Sequence, residues 1–445
     1  MPKPIHISRY LFLSALTLLV PGPAWGHDGE HPPAKAKPAE IYAPGLLPDR
    51  IVLTWSDDPA TTQSVTWRTS TEISKAFAEL AVASGSPKFD ADATRFDATT
   101  ESLETDINQA HFHSVTFREL TPGTRYAYRV GDGVNWSEWF QFSTPQQGVE
   151  NFSFVYFGDA QNDIRNKWSR VIREAVRDAP KPAFLLHAGD LINRANADAE
   201  WGEWFAAGSF LNAMIPNVVV PGNHEYGRSL LGIRSLSDHW RPQFTLPENG
   251  APGLEETCYT LVYGNLRLIA LNTNEAYEPQ AEWLNQVLEQ NESPWVICTF
   301  HHPVFSTGKD RDNKTLRQTF KPIFDRYHVD LVLQGHDHTY GRTGLDTPVV
   351  PATLENVPTG VSNVDVKTGT VYVVSVSGPK MYSLDRKPFM AKALSDTQLY
   401  QVISIDGETL TYEARTASGE LFDRFQLAKR AGEINKLVEL APDAP

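Results

Sequence analysis

Five short apolar runs, FVYFGDAQ, FLLHAGDLIN, VVVPGNHE, ICTFHHP and LVLQGHDH, all stop in an Asp, Asn or His. Runs this short and this rich in Val, Ile, Leu and Phe read as strands buried on both faces, the kind that parallel sheets contain. Helical patterns stand between them. In NKWSRVIREAVRDA, Trp168, Val171, Ile172, Ala175 and Val176 fall on one stripe, so that helix packs on a sheet. Further helices are expected at EWGEWFAAGSFLNAMI, PQAEWLNQVLEQN and KTLRQTFKPIFDRY. Strand and helix in alternation specify an α/β domain. The carboxyl ends of the strands in such a sheet share one rim, and ligands bind in the crevice above it. The five ends therefore bring Asp159, Asp190, Asn223, His301, His336 and His338 to one place.

Any one of these residues has an ordinary explanation, since Asp after Gly is a common turn. Five such ends in one sheet do not. Carboxylate and imidazole donors together suit zinc, iron or manganese. Six donors exceed what one small ion with an open position needs, whereas one carboxylate can bridge two ions about 4 Å apart. Two metal ions are expected. After His338 the chain returns to strands, GTVYVVSVSG, LYQVISIDG, TLTYEART and FDRFQLA, so a second sheet completes this domain and helices flank the pair.

Residues 45–147 carry a different rhythm. Short alternating strands, RIVLTWS, QSVTWRTS, AELAVAS, HFHSVTFREL, TRYAYRVGD and EWFQFST, are separated by turns rich in Asp, Pro and Gly, the pattern of an all-β sandwich. LTPGTRYAYRV resembles the tyrosine-corner strand of fibronectin type III-like domains, with Leu120, Pro122, Gly123 and Tyr126 in order. His111 and His113 share a strand face there, and without a third ligand nearby they read as structural. The domain reads as a scaffold.

The opening residues place Lys3 and Arg9 before an apolar stretch, Tyr10 to Val20, and small residues ending at Gly26. That is the form of a secretory signal peptide over 1–26, and it implies export to the periplasm or beyond. Residues 27–44 read as a linker, 148–430 as the α/β domain and 431–445 as a tail. No later apolar run is long enough to span a bilayer. The two cysteines, Cys258 and Cys298, sit in apolar strand-like runs and read as buried free thiols. A net charge of -14 argues against nucleic acid as a stable partner, because phosphate neutralisation needs clustered Lys and Arg. The oligomeric state is not legible.

The blocks GD, GD, GNHE, HxP and GHxH, in this order, resemble those of the calcineurin-like metallophosphoesterases and, within them, the purple acid phosphatases, which also carry a fibronectin-like domain ahead of the catalytic one. The resemblance implies that Asp159 and His338 hold a first metal, that Asp190 bridges, and that Asn223, His301 and His336 hold a second. It also implies that His224 stabilises the transition state or donates a proton, with Glu225 orienting it. His302 and Asp337 then support the ligands. The implied function is an exported binuclear phosphatase acting on small phosphate monoesters by in-line attack of an activated water. A phosphodiesterase or nucleotide hydrolase on the same site is an alternative, and a non-catalytic surface binding protein is another. The chain departs from the purple pattern where Asn193 replaces the tyrosine of GDxxY, and Gln161 stands where related enzymes place a His. Asn193, Gln161 or water fills that gap in the first site. Lys309 and Arg311 either meet phosphate oxygens or belong to an exposed charged loop.

Overall fold

A computed structural model describes residues 36–228, 232–345 and 369–440. The expected signal peptide, the first half of the expected linker and the last five residues lie outside the described residues.

After a single helical turn, α1 (Pro38–Ile41), eight strands form the first domain: β1 (Asp49–Thr54), β2 (Gln63–Thr69), β3 (Phe77–Val82), β4 (Thr94–Asp97), β5 (Thr99–Glu104), β6 (Gln109–Phe117), β7 (Arg125–Gly131) and β8 (Phe140–Ser143). They make two antiparallel sheets, ordered β1-β2-β6-β5 and β4-β3-β7-β8. Alternate side chains such as Leu53, Val65, Trp67, Phe117, Tyr128 and Phe142 fill the space between them. The expected tyrosine corner is present: the Tyr126 hydroxyl accepts the Thr121 N–H at 2.9 Å. β4 and β5 were not anticipated. Both are polar strands at sheet edges with little buried surface, so they lack the apolar alternation that marks a strand in sequence.

The second domain begins with β9 (Asn151–Phe157), a π-helical turn over Ile164–Trp168, α2 (Ser169–Asp178), β10 (Leu185–His187), α3 (Asp198–Gly208), α4 (Phe210–Met214) and β11 (Asn217–Val219). A hairpin of β12 (Tyr226–Arg228) and β13 (Arg234–Leu236) follows, then α5 (Trp240–Gln243). Next come β14 (Tyr259–Tyr263), β15 (Leu266–Ala270), α6 (Tyr277–Glu289), β16 (Trp295–Thr299), α7 (Lys314–Tyr327), β17 (Leu331–Gln334), β18 (Tyr340–Thr343), β19 (Val371–Val374) and β20 (Met390–Leu394). The chain closes with β21 (Leu399–Asp406), β22 (Thr409–Thr416), β23 (Leu421–Arg430) and β24 (Glu433–Glu439). One sheet runs β11-β10-β9-β21-β22-β23-β24 and the other β14-β15-β16-β17-β19-β18-β20. β11, β10 and β9 are parallel in the first, and β15, β16, β17 and β19 in the second. Phe154, Tyr156, Leu186, Leu268, Ile297, Leu333 and Ile403 belong to the core shared by the two sheets. The outer face of the second sheet packs Ile269, Cys298 and Val332 against Leu284, Phe320 and Phe324 of α6 and α7. Cys258 and Cys298 are free and buried as expected.

Three expectations are corrected. The single helix expected over residues 200–215 breaks at Ser209, whose φ of 44° cannot continue a right-handed helix. The tail begins later than 431, because β24 pairs with β23 and seats Leu437 on the core. The linker ends earlier than 44: α1 precedes Tyr42, whose carbonyl accepts the Arg68 guanidinium at 3.1 Å.

From Pro38 onward the chain gathers into one compact unit. β2 is buried along its whole length because one face packs inside the sandwich and the other meets the second domain. There the Arg50 guanidinium holds both oxygens of Asp198, at 2.7 and 2.9 Å, with Arg68 at 3.5 Å. The Tyr128 hydroxyl donates to the Ala213 carbonyl at 2.6 Å. Among the described residues no helix is long and apolar enough to cross a membrane.

Candidate metal centre

β9, β10, β11, β16 and β17 all end at one rim, and the six residues expected there are brought together. Asp159, Asp190 and His338 place one ligand atom each within 4.8 Å of one another, and so do Asp190, His301 and His336. Asp190 belongs to both groups. Asn223 completes the second, its Oδ1 lying 3.1 Å from His301 Nε2.

The local backbone explains why glycines precede these ligands. A Cβ on Gly222 would fall onto the Asp190 carboxylate, and one on Gly335 would fall against the Asp159 carboxylate. The loops can close on one another only because those positions are bare. Asp190, His336 and His338 are held at φ values of 53, 76 and 47°, a left-handed conformation that costs a non-glycine residue about 1 kcal/mol or more. The loops keep these side chains aimed inward against that cost.

Two of the imidazoles are fixed through their second nitrogen. His301 Nδ1 donates to the Ala188 carbonyl at 2.9 Å, and His338 Nδ1 to the Lys380 carbonyl at 2.8 Å. Their Nε2 atoms are thereby turned inward. His301 Nε2 meets Asn223 Oδ1, Asp190 Oδ2 and His336 Nδ1, all at 3.1 Å. Two oxygens and a second imidazole nitrogen thus crowd a nitrogen that carries at most one proton. In the first group Asp159 Oδ1 and Gln161 Oε1 are buried with no hydrogen-bond partner. A cation among these atoms would satisfy all of them, so the donors present fit a metal at each position.

The electrostatics agree. Burial pushes Asp159 up to about 7, with His301 opposing and Asp190 adding to the rise. Burial also works to raise Asp190, but the His301 charge and hydrogen bond hold it far below the carboxylate range. Burial would lower His301, yet the Asp190 carboxylate raises it to about 9. In effect His301 supplies the positive charge that the buried carboxylates demand.

The remaining candidates divide. Gln161 is fully buried inside the first group, its Nε2 2.7 Å from Asp190 Oδ2 and 3.2 Å from His338 Nε2. Asn193 reaches the site through its backbone, its carbonyl accepting His224 Nδ1 at 2.6 Å. That contact corrects the role expected of Glu225. Glu225 does not orient the His224 ring; its buried carboxylate accepts backbone N–H groups of Gly222, Asp190 and Leu191 at 2.6, 2.9 and 2.8 Å. It ties two ligand loops together, although burial and Asp190 push it up to about 8. His302 packs against His336 with ring centroids 4.4 Å apart and hydrogen-bonds Thr273 at 2.9 Å, so it steadies a member of the second donor group. Lys309 is exposed, whereas Arg311 turns in against His336 Nε2. His111 and His113 are engaged with Ile73, Thr69 and Thr100, as their structural reading expects.

Comparison with known proteins gives the same picture. Residues 48–144 match the purple acid phosphatase N-terminal domain, and residues 152–340 the calcineurin-like phosphoesterases. Acid phosphatase type 7 of Mus musculus is 26% identical over 330 residues, covering 67% of this chain and 71% of its own. A protein named probable inactive purple acid phosphatase 1, from Arabidopsis thaliana, is 23% identical and covers 73% of this chain, which spans 59% of that relative. The purple acid phosphatase from yellow lupin (Lupinus luteus) seeds superposes with a TM-score of 0.69 at 19% identity, over 86% of this chain and 74% of its own. The family uses a dinuclear metal centre, and this fold brings two candidate metal groups together around Asp190. The chain thus carries a calcineurin-like phosphoesterase domain behind the N-terminal domain of the purple acid phosphatases, the make-up of a phosphoric ester hydrolase.

Proposed function

We propose that this protein is an exported phosphatase that hydrolyses phosphate monoesters at a binuclear centre held by Asp159, Asp190, Asn223, His301, His336 and His338. The observation that carries the reading is the pair of three-residue donor groups sharing Asp190. Gln161 is the fourth protein ligand of the first ion, since its amide lies inside that group and the Asn193 side chain makes no hydrogen bond there. Export is supported by the charged and then apolar opening of the sequence.

Bound cations would polarise the phosphoryl oxygens and activate a water as nucleophile near neutral pH. The chain's own residues supply the rest. His224 donates its Nδ1 proton to Asn193, which leaves Nε2 facing the site 3.9 Å from Asp190 Oδ2. In its charged form that nitrogen stabilises the phosphoryl group and gives its proton to the departing ester oxygen. Glu225 keeps the Asp190 and Asn223 loops in register, so the donors are set before substrate arrives.

The test is metal analysis of the purified protein alongside turnover of an aryl phosphate monoester and the matching diester. Two bound ions and faster monoester turnover are expected. Faster diester turnover would move the site to the phosphodiesterases, and no metal-dependent turnover of either would support a binding role.

A further inference from the structure

Beside the ligands lies an arginine whose surroundings suit it to one task. We infer that Arg311 is the phosphate-oxygen clamp of this centre and that Asp337 and Tyr382 position it; the inference rests on the phosphatase reading above. Arg311 lies on the loop entering α7, with its side chain 28% exposed. Its Nε lies 3.0 Å from Asp337 Oδ1, its Cζ sits 5.0 Å over the Tyr382 ring, and its Nη2 meets His336 Nε2. The Tyr382 ring in turn packs on the His338 ring, with centroids 4.5 Å apart. The guanidinium therefore touches His336 directly and reaches His338, the other histidine of GHDH, only through the Tyr382 ring.

Asp337 is fully buried, and its Oδ2 accepts the N–H groups of Thr307 and Gly308 at 2.7 and 3.1 Å. A carboxylate so fixed serves Arg311 rather than a metal. Only one edge of the guanidinium is thereby committed, and its planar fork matches two oxygens of a phosphoryl group. Arg234, a further arginine close to the ligands, is tied instead to the Asn274 side chain at 2.8 Å and the Asn223 carbonyl at 3.4 Å.

The contact with His336 gives way when the site fills. His336 Nδ1 is the atom that faces His301. A cation held by Nδ1 would leave the ring proton on Nε2. Donor would then face donor, which would free the Arg311 Nη2 group to meet an anion at the centre.

The test uses the metal-loaded protein and inorganic phosphate as the probe, with binding read by calorimetry and by competition against an aryl monoester. Arg311→Ala should retain both ions and weaken phosphate roughly tenfold to a hundredfold, the size expected of a lost charge-assisted pair. KM for the monoester should rise with it. Arg311→Lys should fall between, keeping the charge without the fork, and Asp337→Asn should weaken phosphate while preserving metal. Phosphate affinity within twofold of the parent in Arg311→Ala would overturn the clamp, and so would loss of metal in that variant, which would make Arg311 a support for His336. The calorimetric arm needs no turnover, so a parent protein that binds phosphate through Arg311 yet hydrolyses no ester would refute the phosphatase reading alone.

Discussion

Replacing Gln161 with leucine tests how the first metal position is completed. The Gln161 amide donates to Asp190 Oδ2 at 2.7 Å and approaches His338 Nε2 at 3.2 Å, while its oxygen is buried without a partner. Amide nitrogen and oxygen are exchanged by a half turn of the group, and with a cation among Asp159, Asp190 and His338 the oxygen is the face that gains. Leucine fills much the same volume and removes only the donor. Asp190 keeps the His224 N–H at 2.8 Å and His301 at 3.1 Å, so the loop should hold its shape. The lost interaction is one polar contact to a charged group, about 1.5–3 kcal/mol, which is roughly tenfold to a hundredfold in affinity. Release of the first ion to a coloured chelator should quicken by that factor, with the second ion unaffected and turnover recovered in excess metal. Asn193→Ala should change neither, because that residue serves through its backbone carbonyl. Unaltered release from Gln161→Leu, or fast release from Asn193→Ala, would refute the assignment.

Other outcomes follow from the same geometry. His224→Ala should lower kcat by about a hundredfold and leave metal content intact, as expected of a positioned acid; loss of metal on elemental analysis would make His224 a ligand instead. The iron-loaded, oxidised protein should show no purple absorption band, since Asn193 stands where the tyrosine would be; a strong band in its visible spectrum would show that another tyrosine reaches the metal. Asp198→Asn should destabilise the protein at pH 7 by about 3 kcal/mol or more, because it strips the partner from buried Arg50. Burial works to raise Asp198, but His239, Arg50 and Arg68 hold it well below the ordinary carboxylate value. Its contribution is therefore full above the unfolded value of about 3.9, begins to fade below it and is lost only as pH falls through the far lower folded value, so the gap between the urea midpoints of parent and variant should narrow below pH 4 yet persist at pH 3.

The sequence revealed the centre because each ligand sits within a few residues of the strand that aims it. A valine run ending in Pro-Gly and then Asn223 carries both the scaffold and the donor in one short stretch. Features that depend on contacts far apart in the chain were not legible. Glu225 acts on Asp190 and Leu191, more than thirty residues away, through backbone N–H groups that no side-chain pattern advertises. The choice of Arg311 over Lys309 turns on which way a loop folds around Asp337. β24 escaped notice for a different reason. An edge strand buries one face lightly, so its residues alternate too weakly to stand out from a polar tail.

The chemistry of the donors also bears on which ions the centre is built to hold. Two carboxylates, Asp159 and Asp190, are the anionic members of the two donor groups. Asn223 and Gln161 are neutral amides, and the three histidines are neutral when they coordinate. In the purple pattern a tyrosinate adds a third anion at the first position. Replacing it with an amide raises the net positive charge of a trivalent and divalent pair by one unit in a fully buried setting, where unbalanced charge is most costly. A pair of divalent ions restores the balance without any further change in the protein. A neutral amide oxygen in place of an anionic phenolate also removes the donor that most favours ferric iron. Both considerations, one of charge and one of ligand type, point the same way, so on the proposed binuclear reading elemental analysis of the purified protein is expected to find a divalent ion such as zinc or manganese at the first position, and ferric iron there would refute the argument.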